Sequence, residues 1–265
     1  MKMLKFIIVC LTISYFSVSV YALTWANIDL ENAIVYCGTS QLYDDSQYFN
    51  LELEGDDYNC PWITGSSYYD GNYALGMRLY PDSDNYKDRT EITACHMTDS
   101  YALKFGKIRY FGFAMCINNS SSDWPLDVPV HFMQAWQANS GMGCGVPLHC
   151  TLETDTVLRF HITGRDDAGA YALIPSTEIS KGYWHTFVFR LAPNHNQMTG
   201  TGNVKVWYDG NLLVDWNHDW GCEPQGVVTD DWMIRCGLYR GESDNNLVAI
   251  FDNVRIASSV DEATP

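Results

Sequence analysis

The chain has 265 residues, 46% of them hydrophobic and 14% aromatic, and a formal net charge of −16 at pH 7. That charge excludes a general nucleic-acid or anionic-membrane binder, because the surface as a whole repels polyanions. A local basic trough is still compatible with it, since a Debye length of about 8 Å screens charge farther away.

Taken from the start, Met1–Lys5 carries positive charge and Phe6–Val20 is an apolar run too short to span a membrane. Val20-Tyr21-Ala22 supplies small residues at a cleavage spacing, so residues 1–22 read as a signal peptide and the mature chain as a secreted protein beginning near Leu23. Loss of Lys2 and Lys5 with the leader makes the mature chain two charges more negative. Cys10 leaves with it, and Cys37, Cys60, Cys95, Cys116, Cys144, Cys150, Cys222 and Cys236 remain. An even number of cysteines in an oxidising compartment predicts disulfides rather than metal ligation, with Cys144 and Cys150 bracketing a stapled loop. No later apolar run reaches membrane length and no linker divides residues 23–265, which predicts one domain, expected to be a soluble monomer.

Strands are expected at Tyr73–Tyr80, Arg89–Cys95, Ile108–Ile117, Val130–Ala135, Val157–Ile162, Trp184–Leu191, Gly202–Tyr208, Leu212–Trp216, Met233–Tyr239 and Val248–Ile256, with almost no helical periodicity. Many short strands with turn residues between them predict an all-β sandwich. Tyr208-Asp209-Gly210-Asn211 is a hairpin turn, because Asp-Gly supplies the positive φ that a tight turn requires. Asn118 and Asn119 begin overlapping glycosylation acceptors in Asn-Asn-Ser-Ser, and crowding allows one of them to be used. The Asp82–Asp88 and Gly241–Asn246 stretches read as solvated turns. Structural calcium is possible there, although neither has ordered ligand spacing.

Three stretches carry the candidate chemistry. In Arg89-Thr90-Glu91-Ile92, alternation puts a guanidinium and a carboxylate on one face, as an ion pair or as an arginine held ready for a ligand carboxylate. In Val130–Gln137, Gln134 and Trp136 share a face, a pairing suited to hydrogen-bonding and stacking on sugar, while strict alternation puts His131 and Gln137 on the other. In Asp231–Arg240, Arg235, Gly237 and Tyr239 share a polar face and Ile234, Cys236 and Leu238 an apolar one. Arg235, Glu91, Trp136 and Arg240 are the expected substrate-binding residues.

Together Arg-Thr-Glu-Ile, the Gln-bearing strand, Trp184–Val188, Val-Trp-Tyr-Asp-Gly, Arg-Cys-Gly-Leu-Tyr-Arg and Phe251–Arg255 resemble the jelly-roll polysaccharide lyases, among them alginate, glucuronan and heparin lyases. The resemblance implies a concanavalin A-like sandwich of two antiparallel sheets and β-elimination on an anionic, uronic-acid-containing polysaccharide, with no metal required. Where the family often shows Lys-x-Gly-x-Tyr this chain has Arg235-Cys236-Gly237-Leu238-Tyr239. The match makes Tyr239 the catalytic tyrosine, with Arg89 and Gln134 neutralising the uronate carboxylate. The family's Gln-x-His appears here as Gln134-Ala135-Trp136, so the base is Tyr239 itself, His131 if a bulge turns it round, or His96, His161 or His218. Other readings are a lectin-like carbohydrate-binding module on the same fold, and after it a glycoside hydrolase, for which the Glu-x-Asp-x-x-Glu pattern is missing.

Overall fold

A computed structural model describes residues 24–31, 33–36, 41–44, 47–54, 59–96, 98–120, 122–139, 145–195, 198–224, 226 and 228–265. The expected leader, Cys10, Cys37 and Cys144 lie outside them. The early strands are β1 (Thr24–Ile28), β2 (Ile34–Tyr36), β3 (Gln41–Asp44), β4 (Gln47–Glu54), β5 (Trp62–Thr64) and β6 (Ala74–Leu79). There follow β7 (Asp82–Cys95), β8 (Arg109–Ile117), β9 (Val130–Gln137), β10 (Leu148–Leu152), β11 (Arg159–Asp166) and β12 (Gly169–Glu178). The last are β13 (Trp184–Ala192), β14 (Asn203–Tyr208), β15 (Asn211–Asn217), β16 (Trp232–Ser243) and β17 (Leu247–Ala257), before one short helix, α1 (Val260–Ala263).

These strands form two antiparallel sheets, the expected jelly-roll sandwich. One runs β15-β14-β13-β8-β17-β6-β5 with β1 also on β17, and the other runs β12-β11-β10-β9-β16-β7-β4-β3-β2. Alternation supplies the core: Phe111 and Phe113 of β8, Phe187 and Phe189 of β13 and Phe251 of β17 meet Phe132 and Phe160 from the facing sheet, all fully buried. Phe113 stacks on Phe187 at 5.3 Å within its own sheet and meets Phe132 edge-on at 6.4 Å across the sandwich. The Asp-Gly turn has φ of 48° at Asp209 and 75° at Gly210, the two positive values that a tight hairpin of this twist needs.

Three expectations are corrected here. Residues 82–88 are the first half of β7, not a loop, because they continue its pairing with β16 as far as Asp82 opposite Ser243. Gly241–Ser243 likewise belong to β16, which leaves 244–246 as the turn, where Asp127 accepts from the Asp244 amide at 2.8 Å and Asp123 from the Asn246 amide at 2.8 Å. Disulfide pairing of all eight cysteines also fails. Cys60 and Cys222 are disulfide-bonded, whereas Cys95, Cys116, Cys150 and Cys236 are buried free thiols.

The reason for the free thiols is geometric. Cys150 and Cys236 both face Met133 from opposite sides, which puts them two strand spacings, about 10 Å, apart and beyond disulfide reach. Cys116 belongs to the other sheet, where Met115 and Ile117 take the core face and leave it on the face turned away from the other three. Burial pushes the Cys95 thiol up to about 12 and those of Cys150 and Cys236 well above their ordinary value. These four thiols are therefore expected to resist an aromatic disulfide reagent in the native protein and to react once it is unfolded. Rapid native labelling at any of them, located by peptide mapping, would contradict the packing.

Candidate active site

The nine-stranded sheet turns one face to the core and the other away from it. On β16 the core takes Trp232, Ile234, Cys236 and Leu238, so the Arg235 and Tyr239 side chains point outward, as alternation predicts. Gly237 has φ of 145°, and a Cβ there would lie 2.3 Å from the Thr90 carbonyl oxygen and 2.5 Å from the Glu91 Cα. Only glycine lets β16 approach β7 so closely between Arg235 and Tyr239.

Alternation breaks on β9. Val130 and Phe132 face the core, but so do Met133 and Ala135. Along β10, Cys150 opposite Met133 is followed directly by Thr151 opposite His131, so β9 spends one residue more than its neighbour. On the other side, β16 takes three steps from Cys236 to Tyr239 while β9 takes two from Met133 to His131. These β-bulges reverse the facing of the strand between His131 and Gln134. His131 therefore lies on the same outward face as Gln134 and Trp136, where unbroken alternation would have sent it inward.

The side chains brought together come from five adjacent strands. The Tyr239 ring stacks on the His131 ring at 5.7 Å, and the His149 ring of β10 meets His131 edge-on at 4.9 Å. His131 Nδ1 is hydrogen-bonded to Thr151 Oγ1 at 2.8 Å. Over the other face of the phenol lies the Arg89 guanidinium, 4.4 Å from the ring centroid, with its Nε 3.3 Å from Glu91. Glu52 of β4 joins the two arginines, at 3.9 Å from Arg89 and 3.0 Å from Arg235. Arg235 in turn lies 5.5 Å from the Trp136 ring. Gln134 is the partner of Arg235 on β16 and of His149 on β10. Its Nε2 and the Arg235 Nε are buried donors with no hydrogen-bond partner among the described residues.

The charges are balanced, two guanidiniums against two carboxylates, so an incoming anion finds unspent donors rather than a net positive field. Burial, and secondarily His161, lowers His131 to about 4. Burial, then His131 and His161, lowers His149 to about 3. Both imidazoles are neutral at neutral pH.

Arg89, Glu91, His131, Gln134, Trp136, Arg235 and Tyr239 thus share one wall, but Arg240 does not. The step that faces Tyr239 outward turns Arg240 inward, where it is buried against Asp88 with Nε 3.3 Å from Oδ2 and donates to the Tyr80 carbonyl at 2.7 Å. Its assignment to substrate is corrected: it is an interior ion pair. Among the alternative histidines, His161 is bonded to Glu153 at 3.0 Å, His218 to Asp166 at 3.2 Å and His96 to Thr98 at 2.8 Å. The site also contains residues that the sequence reading did not select. His149 falls in the stretch read as a stapled loop and Thr151 just beyond it, and Glu52 sits in Leu-Glu-Leu-Glu, whose alternation was the available signal. Among the described residues no group of three or more His, Cys, Asp or Glu side chains is placed to hold a metal ion.

Residues 44–255 match the family described as polysaccharide lyase. The chain belongs to the polysaccharide lyase family. No curated protein matches the lyase in sequence. Among solved structures it is similar to the endo-β-1,4-glucuronan lyase of the fungus Trichoderma reesei, with a TM-score of 0.63 and 16% identity over 81% of this chain and 92% of that one. It is also similar to the alginate lyase Aly36B, with a TM-score of 0.55 and 13% identity over 90% and 97% of the two chains. The catalytic domain of a glycoside hydrolase family 131 protein from Coprinopsis cinerea shares the fold at a TM-score of 0.52 and 13% identity, covering 82% and 86%. At these identities the structures establish the sandwich, and the family match establishes the lyase. Among the described residues of the lyase, no helix is long and apolar enough to cross a membrane.

Proposed function

We propose that this lyase is secreted and cleaves a polysaccharide containing uronic acid, of the glucuronan or alginate type, by β-elimination at the wall built from β10, β9, β16, β7 and β4. The observation that carries the reading is the stack of Tyr239 on a neutral His131 beside the unspent donors of Gln134 and Arg235. The uronate carboxylate is bound by Gln134 and the arginines, which stabilises the enolate-like charge that builds on it as the C5 proton leaves. His131 takes that proton: with Nδ1–H donated to Thr151, Nε2 keeps its lone pair. The C5–H electron pair forms the C4–C5 double bond, the C4–O4 bond breaks, and Tyr239 protonates the departing O4. No step calls for a metal ion, and residues 1–22 supply the leader for export.

The test is incubation with a panel of polyuronates while following the ultraviolet absorbance of the new double bond conjugated to the carboxylate. Absorbance rising with at least one of glucuronan and alginate supports the reading, and none with any member overturns it.

A pH prediction follows from burial of the two histidines. The acid limb of kcat/KM is expected near pH 4, where His131 gains its proton, rather than near the 6.5 of a free imidazole. Stability follows the same sign. The unfolded chain takes up protons at these histidines below about 6.5 while the folded one does not until about 4 and about 3, so stability falls as pH drops through that window and is complete above it. A rate profile and denaturant titrations across the range measure both, and a limb at 6.5 would contradict the assignment of His131 as base.

A further inference from the structure

The eight-stranded sheet has its own outward face, on the far side of the sandwich from the candidate active site. Phe187 and Phe189 of β13 enter the core, so Trp184, Thr186 and Val188 point the other way. Trp207 of β14 is the partner of Val188 across the ladder. With Tyr69, Asp209 and α1, these residues line a cavity of about 610 Å³, within the range of small-ligand sites.

Its polar and aromatic groups are fixed by their neighbours. Tyr69, 40% exposed, meets Trp184 edge-on at 5.9 Å. Its backbone N–H donates to Asp252 at 2.9 Å, which anchors the loop that carries it. Asp209 is held by His185 at 2.8 Å and by the Thr186 amide at 2.8 Å. Asp261 of α1 brings a second carboxylate to the rim. Among the described lining residues there is no lysine or arginine.

Two indoles and a phenol line the cavity, and Asp209 and Asp261 bring acceptor oxygens to it. Such a set suits a ligand with C–H faces and hydroxyl donors, which is a pyranose ring. With no lysine or arginine among the described lining residues, the two carboxylates repel a uronate, so the candidate site on the other sheet and this cavity select opposite ligands. We propose that this cavity is a second, non-catalytic glycan site, and that it binds an uncharged pyranose oligosaccharide.

The test is calorimetric titration of the full-length mature protein with uncharged β-1,4-linked glucose, mannose and xylose oligosaccharides, with oligouronates alongside. The expected result is binding of at least one uncharged ligand. Trp184→Ala and, separately, Tyr69→Ala should weaken it by about tenfold, the equivalent of one good aromatic contact. Tyr69 is partly exposed and keeps its backbone anchor, so its variant is expected to fold even if Trp184→Ala does not. Trp136→Ala, which removes the indole from the candidate active-site wall, should leave uncharged-ligand binding unchanged, which separates this site from the active one whether or not lyase activity is detected. The proposal is overturned if no uncharged member binds the wild-type protein. It is also overturned if binding survives in a folded Tyr69→Ala and Trp184→Ala pair, or if it is lost in Trp136→Ala alone.

Discussion

Tyr239→Phe is expected to lower kcat by about a thousandfold, in the middle of the range for loss of a proton-transferring group, with little change in KM. The substitution removes one oxygen and leaves the ring. The stack on His131 at 5.7 Å and the Arg89 guanidinium at 4.4 Å both depend on the ring, so the wall should keep its shape. What is lost is the proton that must reach O4 as the C4–O4 bond breaks. The measurement is the initial rate of double-bond absorbance at saturating polyuronate, with circular dichroism and the melting temperature as controls for folding. Retention of activity within about threefold of wild type would be too small a loss for a proton donor in the rate-limiting step, and would remove Tyr239 from that role. His131→Ala provides the companion reading. A loss of similar size fits His131 as base with Tyr239 as acid, whereas a much smaller one leaves Tyr239 to perform both transfers.

Arg240→Ala is expected to cost about 3–5 kcal/mol of folding stability, the usual consequence of leaving half of a buried ion pair behind. Neither side chain of the Arg240–Asp88 pair is exposed to solvent, and Arg240 also donates to the Tyr80 carbonyl at 2.7 Å. Burial lowers the Arg240 pKa while Asp88 and more distant carboxylates raise it, so the guanidinium depends on those partners for its place in the interior. Denaturant unfolding measures the loss. At a temperature where the variant remains folded, KM for a polyuronate should match wild type, because Arg240 faces away from the candidate cleft. A raised KM with unchanged stability would return Arg240 to the substrate.

Much of this could be read from the residues because alternation is the dominant signal in a sandwich. The stretches from Tyr73–Tyr80 to Val248–Ile256 alternate or carry β-branched and aromatic runs, and each lies on a strand to within two residues at either end. Arg235, Gly237 and Tyr239 on one face, and Arg89 with Glu91 on another, needed nothing beyond period two. Arg240 was readable by the same rule, since a residue adjacent to an outward tyrosine on a regular strand points inward. Two features resisted reading. Leu148–Leu152 alternates well, but an argument from cysteine count marked its first half, up to Cys150, as part of a stapled loop, and it is an interior strand of the sheet whose Cys150 is a free thiol. β12 includes Pro175, which argues against a strand until its place at the end of the sheet is known. The facing of His131 depended on an extra residue whose position is set by the neighbouring strands and leaves no mark in Val-His-Phe-Met-Gln.

That extra residue changes which histidines in related sequences count as candidates. In this protein imidazole and carboxamide stand three positions apart, histidine first, in His131-Phe132-Met133-Gln134, and they still emerge on one face. A sequence filter requiring glutamine, one spacer and then histidine would discard this protein as an inactive homologue. On a regular strand an imidazole reaches the carboxamide's face at an even spacing and across a bulge at an odd one, on either side of it.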